Sequence, residues 1–154
     1  MTWTKYDGNP VLSNVEMTDY RDPKVFWHDE TSQWVMVLAT GQSVTIYTSV
    51  DLKKWEFASD FGSKADAHDS IWECPDLLSL PVDRDERNQK WVLLVSIDNP
   101  DQRRSRTQYF IGDFDGKRFV NHHSDETVVW LDHGRDNYGI TGIIFHQKMA
   151  DEFI

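Results

Sequence analysis

Apolar residues along this chain recur in short runs rather than at helical spacing. No long window keeps apolar positions at i, i+3, i+4 and i+7, while β-branched and aromatic runs bounded by turn residues follow one another throughout. The pattern predicts strands at Lys24–Trp27, Trp34–Ala39, Thr45–Thr48 and Trp55–Phe57. A second series is predicted at Asp76–Leu80, Trp91–Ile97, Thr107–Asp113 and Phe119–Val120, followed by Thr127–Leu131 and Ile140–Phe145. The expected fold class is all-β.

The strands fall into two similar packets. The first runs from Asp22-Pro23 through Trp34-Val35-Met36-Val37-Leu38 and Ile46-Tyr47-Thr48 to a turn at Asp51-Leu52 and then Trp55. The second runs from Pro75-Asp76 through Trp91-Val92-Leu93-Leu94-Val95 and Gln108-Tyr109-Phe110 to a turn at Asp115-Gly116 and then Phe119. Matched pairs lie 54 residues apart at Asp22 and Asp76, 57 at Trp34 and Trp91, 62 at Tyr47 and Tyr109, and 64 at Trp55 and Phe119. Longer connections at Pro81–Gln89 and Asn99–Arg106 account for the growing offset. A four-strand unit repeated at this interval reads as propeller blades, here around residues 20–60 and 72–121 with a partial blade at 127–145. All 154 residues form one partial propeller domain on this reading. Closed propellers need at least about four blades, so two to three blades leave sheet faces and edges open for a partner, such as a second copy of the chain.

Composition narrows the function. Sixteen Lys and Arg against 26 Asp and Glu give a net charge of −10, which repels phosphate backbones and anionic lipid; neither nucleic acid nor a membrane is an expected partner. Residues 1–15 contain Lys5, Asp7 and Pro10 and show no signal-peptide pattern. The single cysteine, Cys74, allows no internal disulfide and no multi-cysteine zinc site. His122-His123 has no third ligand at a fitting spacing, so no metal is expected, and no cofactor either. Arg103, Arg104 and Arg106 read as a solvated basic loop. Aromatic residues make up 13% of the chain, which fits a β core and a surface for polar ring-shaped ligands equally well.

Two motifs open the packets: Tyr20-Arg21-Asp22-Pro23 and Trp72-Glu73-Cys74-Pro75-Asp76. Alone, Asp-Pro reads as a turn and Glu beside Trp as a surface residue. Their matching places favour a shared role, because inner propeller strands begin near the axis and would bring both carboxylates to one end of the channel. Pro23 is expected to hold Asp22 extended, and Arg21 to favour its ionised form. Glu73 stands among Ile71, Trp72, Cys74 and Pro75, and a dry pocket there would suit it to donate a proton.

The chain resembles glycoside hydrolase family 32, the β-fructofuranosidases. The resemblance is carried by Asn9-Pro10-Val11-Leu12, Tyr20-Arg21-Asp22-Pro23-Lys24-Val25-Phe26-Trp27, Asp51-Leu52-Lys53-Lys54-Trp55, Trp72-Glu73-Cys74-Pro75-Asp76-Leu77 and Gln108-Tyr109-Phe110-Ile111-Gly112-Asp113. It implies a five-bladed propeller that hydrolyses fructosyl bonds in sucrose, inulin or levan with retention of configuration, in a secreted setting. On it, Glu73 is the acid/base, Asp22 stabilises the transition state, Arg21 binds hydroxyls and Trp72 lines the pocket. The family's nucleophile lies in an Asn-Asp-Pro-Asn motif that these 154 residues do not contain, and Asp136-Asn137-Tyr138-Gly139 keeps only part of a further family pattern. Negligible fructosidase activity of the chain by itself is therefore expected. A non-catalytic fructan-binding or self-assembling half-propeller is the alternative, and a five-bladed arabinan or xylan hydrolase a more distant one.

Overall fold

The computed structural model describes residues 2–14, 16–63, 70–99, 104–124 and 127–140. Its regular structure is all β. The strands are β1 (Arg21–His28), β2 (Gln33–Ala39), β3 (Val44–Ser49), β4 (Glu56–Phe61), β5 (Trp72–Val82), β6 (Asp85–Asn99), β7 (Arg104–Phe114) and β8 (Phe119–Asn121). They form two antiparallel sheets in the orders β1-β2-β3-β4 and β5-β6-β7-β8, each a meander like a propeller blade.

Turn chemistry explains where strands stop. Asp51 and Asp115 occupy the same place between the third and fourth strands of their sheets. Asp51 Oδ1 accepts the Lys53 and Lys54 N–H groups at 2.8 and 2.9 Å, and Asp115 Oδ1 accepts those of Lys117 and Arg118 at 2.9 and 2.7 Å. The next residue has positive φ in both, 62° at Leu52 and 89° at Gly116. The segment Pro81–Gln89, expected as a connection, instead extends the β5–β6 ladder around Asp83-Arg84. Both turn residues are left-handed, φ 51° and 64°, as a two-residue type I′ hairpin requires; without glycine the signal was hidden.

The sheets pack head to tail. The register places Lys24, Phe26, His28, Val35, Val37, Val44 and Ile46 on the face of the first sheet turned toward the second. They meet Leu77, Trp91, Leu93, Val95, Ile97, Phe110 and Phe114 on the second, and most of these apolar residues form one buried cluster. Aromatic contacts knit the joint: Phe26 lies 5.7 Å from Trp91, His28 5.4 Å from Phe114 and Phe61 5.0 Å from Phe110.

Thr127–Leu131, expected to belong to a third blade, borders the second sheet instead. Because β8 pairs only with Gly112–Phe114, part of the β7 edge is left free. Tyr109 N–H donates to the Val129 carbonyl at 3.0 Å and Leu131 N–H to the Thr107 carbonyl at 2.9 Å. Of the expected Ile140–Phe145 strand, residues 141–145 lie outside the described residues.

Candidate active site

The same irregularity opens both inner strands. In β1 the register runs Arg21↔Ala39 and then Lys24↔Val37, so two residues oppose one; in β5 it runs Glu73↔Ser96 and then Asp76↔Leu94. Proline lacks the N–H a ladder needs and is tolerated at such a bulge, which gives Pro23 and Pro75 their places. The residues before them are left-handed, Asp22 at φ 56° and Cys74 at φ 46°. Asp22 is thus not extended as expected: proline excludes the right-handed helical region, and the bulge selects the left-handed one. The two strands correspond at an offset of 52, not 54, so Arg21 matches Glu73, Asp22 matches Cys74, and Lys24 matches Asp76. Lys24 Nζ reaches Asp76 Oδ1 at 3.0 Å and ties the two strands together just past the bulges.

The bulges bring Asp22 and Glu73 into one cluster. The Cys74 N–H donates to Asp22 Oδ2 at 3.0 Å. The Arg21 guanidinium turns away from Asp22, its expected partner, and donates to Glu73 Oε1 at 2.8 Å while also pairing with Asp19. Tyr138 donates its hydroxyl to Glu73 Oε2 at 2.7 Å. The loop carrying Tyr138 is pinned by its neighbour, since Gly139 N–H donates to Ser96 Oγ at 2.9 Å and Ser96 is the ladder partner of Glu73. The Glu73 side chain is 14% exposed and both its oxygens accept a hydrogen bond, so it sits in a polar clamp rather than a dry pocket.

Trp72 does not line this cluster. Its ring is fully covered, 5.6 Å from Phe110 and pressed against Gly62, so it supports β5 from the intersheet core. Burial there follows from alternation: Glu73 faces the cluster, and its neighbour must face the other side. Arg106, expected in a solvated loop, lies 3.9 Å over the Trp130 ring; Arg103 is outside the described residues. Asp19, Ser96 and Tyr138 were given no role from sequence. Only Tyr138 carried a signal, as part of the partly kept family pattern.

The cluster perturbs its own titrations. Burial, then the Asp22 charge, pushes the Cys74 thiol up, against a smaller lowering by the Tyr138 hydroxyl. The Tyr138 phenol is raised well above its ordinary value, first by its hydrogen bond to Glu73 and then by burial, and stays a donor throughout the neutral range. Among the described residues no group of three His, Cys, Asp or Glu side chains is placed to hold a metal ion.

The family model for the N-terminal domain of glycosyl hydrolases family 32 matches residues 1–151. The chain belongs to this family. It is 51% identical to the levanase of Bacillus subtilis (strain 168) over 138 residues, which cover 89% of this chain and 20% of that protein. It is 46% identical to an invertase of Wickerhamomyces anomalus, covering 89% of this chain and 25% of that one, and 39% identical to an extracellular exo-inulinase of Aspergillus awamori, covering 92% and 29%. Solved structures agree. The E230A fructofuranosidase of Schwanniomyces occidentalis, complexed with fructosylnystose, superposes with a TM-score of 0.80 at 35% identity, over 93% of this chain and 28% of that one. The Aspergillus awamori exo-inulinase superposes at 0.77 with 36% identity, over 92% and 31%. The two sheets of this family 32 chain are therefore part of a β-propeller, and the chain spans about a fifth to three tenths of the curated relatives named here.

Proposed function

We propose that this chain supplies part of a fructosyl-hydrolysing site in which Glu73 is the acid/base and Asp22 holds sugar hydroxyls and steadies the oxocarbenium-like transition state. The observation that carries the reading is the clamp on Glu73. Arg21 and Tyr138 bind its two oxygens from different segments, 2.8 and 2.7 Å away, and hold the carboxyl in one orientation. The Cys74 amide holds Asp22 through Oδ2 and so orients the carboxylate that would take a ligand hydroxyl. Arg21 acts here as a positioning residue for Glu73, a role it fills instead of touching Asp22. The substrate class is a fructose-containing oligo- or polysaccharide, and the relatives named extracellular support an extracellular setting.

Retaining hydrolysis pairs the acid/base with a nucleophilic carboxylate about 5–5.5 Å away. The Asn-Asp-Pro-Asn motif that bears it in the family does not occur in these 154 residues. The chain by itself should bind fructosyl oligosaccharide without turning it over. Saturation-transfer NMR with fructosylnystose should show binding that Asp22→Asn removes, while fructose release from sucrose, inulin and levan stays at the uncatalysed level. Binding that ignores the substitution would refute the site, and ordinary turnover would refute the missing-nucleophile reading.

A further inference from the structure

Across the second sheet, Glu73, Ser96 and Thr107 are successive ladder partners on β5, β6 and β7, so their side chains form one row on one face. Ser96 and Thr107 are buried, and their hydroxyls lie 3.5 Å apart. The segment Val129–Gly139 crosses this row. It first follows the β7 edge, where Leu131 N–H donates to the Thr107 carbonyl at 2.9 Å and Ser105 N–H to the Arg135 carbonyl at 3.1 Å. It then leaves the edge and passes over the sheet. There Gly139 N–H donates to Ser96 Oγ at 2.9 Å, and the Tyr138 hydroxyl reaches Glu73 Oε2 at 2.7 Å. Tyr138 is 47% exposed, so burial contributes little to holding it. The Gly139 N–H belongs to the peptide group that leaves the Tyr138 Cα. Bonding it to a buried strand hydroxyl fixes the base of the tyrosine side chain, as Glu73 fixes its tip.

We propose that Ser96 is a positioning residue for Glu73: its hydroxyl anchors the Tyr138–Gly139 peptide and thereby places the phenol that clamps the carboxyl. The proposal rests on the reading of Glu73 as the acid/base. Ser96 acts through Tyr138, and what the place demands is an acceptor oxygen on β6 rather than side-chain volume. The strand hydroxyl thus couples the β7-edge segment to the head of β5, two elements that share no ladder.

Carbon-13 NMR of the tyrosine Cζ from pH 7 to 11, with Tyr138 assigned through Tyr138→Phe, tests it. The bond to Glu73 raises the Tyr138 phenol well above its ordinary value, so wild-type Tyr138 should stay protonated throughout. Ser96→Ala should bring its midpoint down toward the ordinary value of about 10, and Ser96→Thr, which restores a hydroxyl, should keep the wild-type behaviour. Thr45→Ala removes a different buried hydroxyl, which donates to Asp60 at 2.7 Å in the first sheet, and should leave Tyr138 unmoved. A Ser96→Ala chain whose Tyr138 still resists titration overturns the anchor and leaves the clamp on Glu73 standing. Ser96→Thr behaving like Ser96→Ala, or an equal shift in Thr45→Ala, also overturns it. A wild-type Tyr138 that titrates normally removes the clamp itself, and with it both the anchor and the observation behind the hydrolytic reading. The titration reads the contact and not the sugar, so its outcome is separate from that of the oligosaccharide-binding test. Should Ser96→Ala fail to fold, hydrogen exchange of the wild-type chain decides. The Gly139 amide should exchange at least about tenfold more slowly than an unprotected one, and exchange at the unprotected rate overturns the anchor.

Discussion

At the scale of single residues, Cys74 reports on the cluster without any turnover. Burial and the Asp22 charge raise its pKa, and the Tyr138 hydroxyl lowers it. Asp22→Asn should therefore lower the thiol pKa and speed alkylation by iodoacetamide severalfold near pH 8, where the thiolate fraction sets the rate. Tyr138→Phe should do the reverse and slow it. Rate profiles between pH 7 and 10 check both, and equal profiles for the three proteins would mean that neither side chain meets the thiol. The sequence made Asp22 and Glu73 legible because each stands one or two residues before a proline at the head of a packet. It could not show the partner of Arg21. Adjacency pointed to Asp22, but the bulge sends the guanidinium across the intersheet gap to Glu73. Trp72 misled for a related reason, since a neighbour along a strand faces the opposite side.

At the scale of strands and turns, the joint tolerates little change. Gly62 follows β4 at φ 96°, and a Cβ there would strike the Trp72 ring, so Gly62→Ala should cost about 2–4 kcal/mol through strain and overpacking. Gly41, at φ 72° with open space around it, isolates the backbone term, and Gly41→Ala should cost only about 1 kcal/mol. Urea midpoints of the two variants measure the difference. Lys24→Met leaves the nearly covered Asp76 carboxylate without its ammonium partner and should cost about 3 kcal/mol, whereas removing an exposed ion pair such as Arg87–Asp85 should change stability little. The paired turns bring a pH dependence. Backbone N–H bonds hold Asp51 and Asp115 below the ordinary carboxylate value in the folded chain. Their contribution is complete above the unfolded value of about 3.9 and disappears as pH falls through the lower folded values. An Asp51→Asn, Asp115→Asn double variant should lose less stability than wild type between pH 6 and 3, as urea titrations at both pH values would show. These turns were legible as Asp followed four residues later by an aromatic, Trp55 and Phe119. The hairpin at Asp83-Arg84 was not, because two left-handed residues without glycine leave no compositional mark.

At the scale of the molecule, periodicity revealed two blades, while the direction in which they pack came only from the register. Alternation says that a strand has two faces; it does not say which face meets which sheet. Once known, that direction places the face carrying Val25 and Trp34 on one side of the pair and the face carrying Leu78 and Leu80 on the other, where neighbouring blades pack in a propeller.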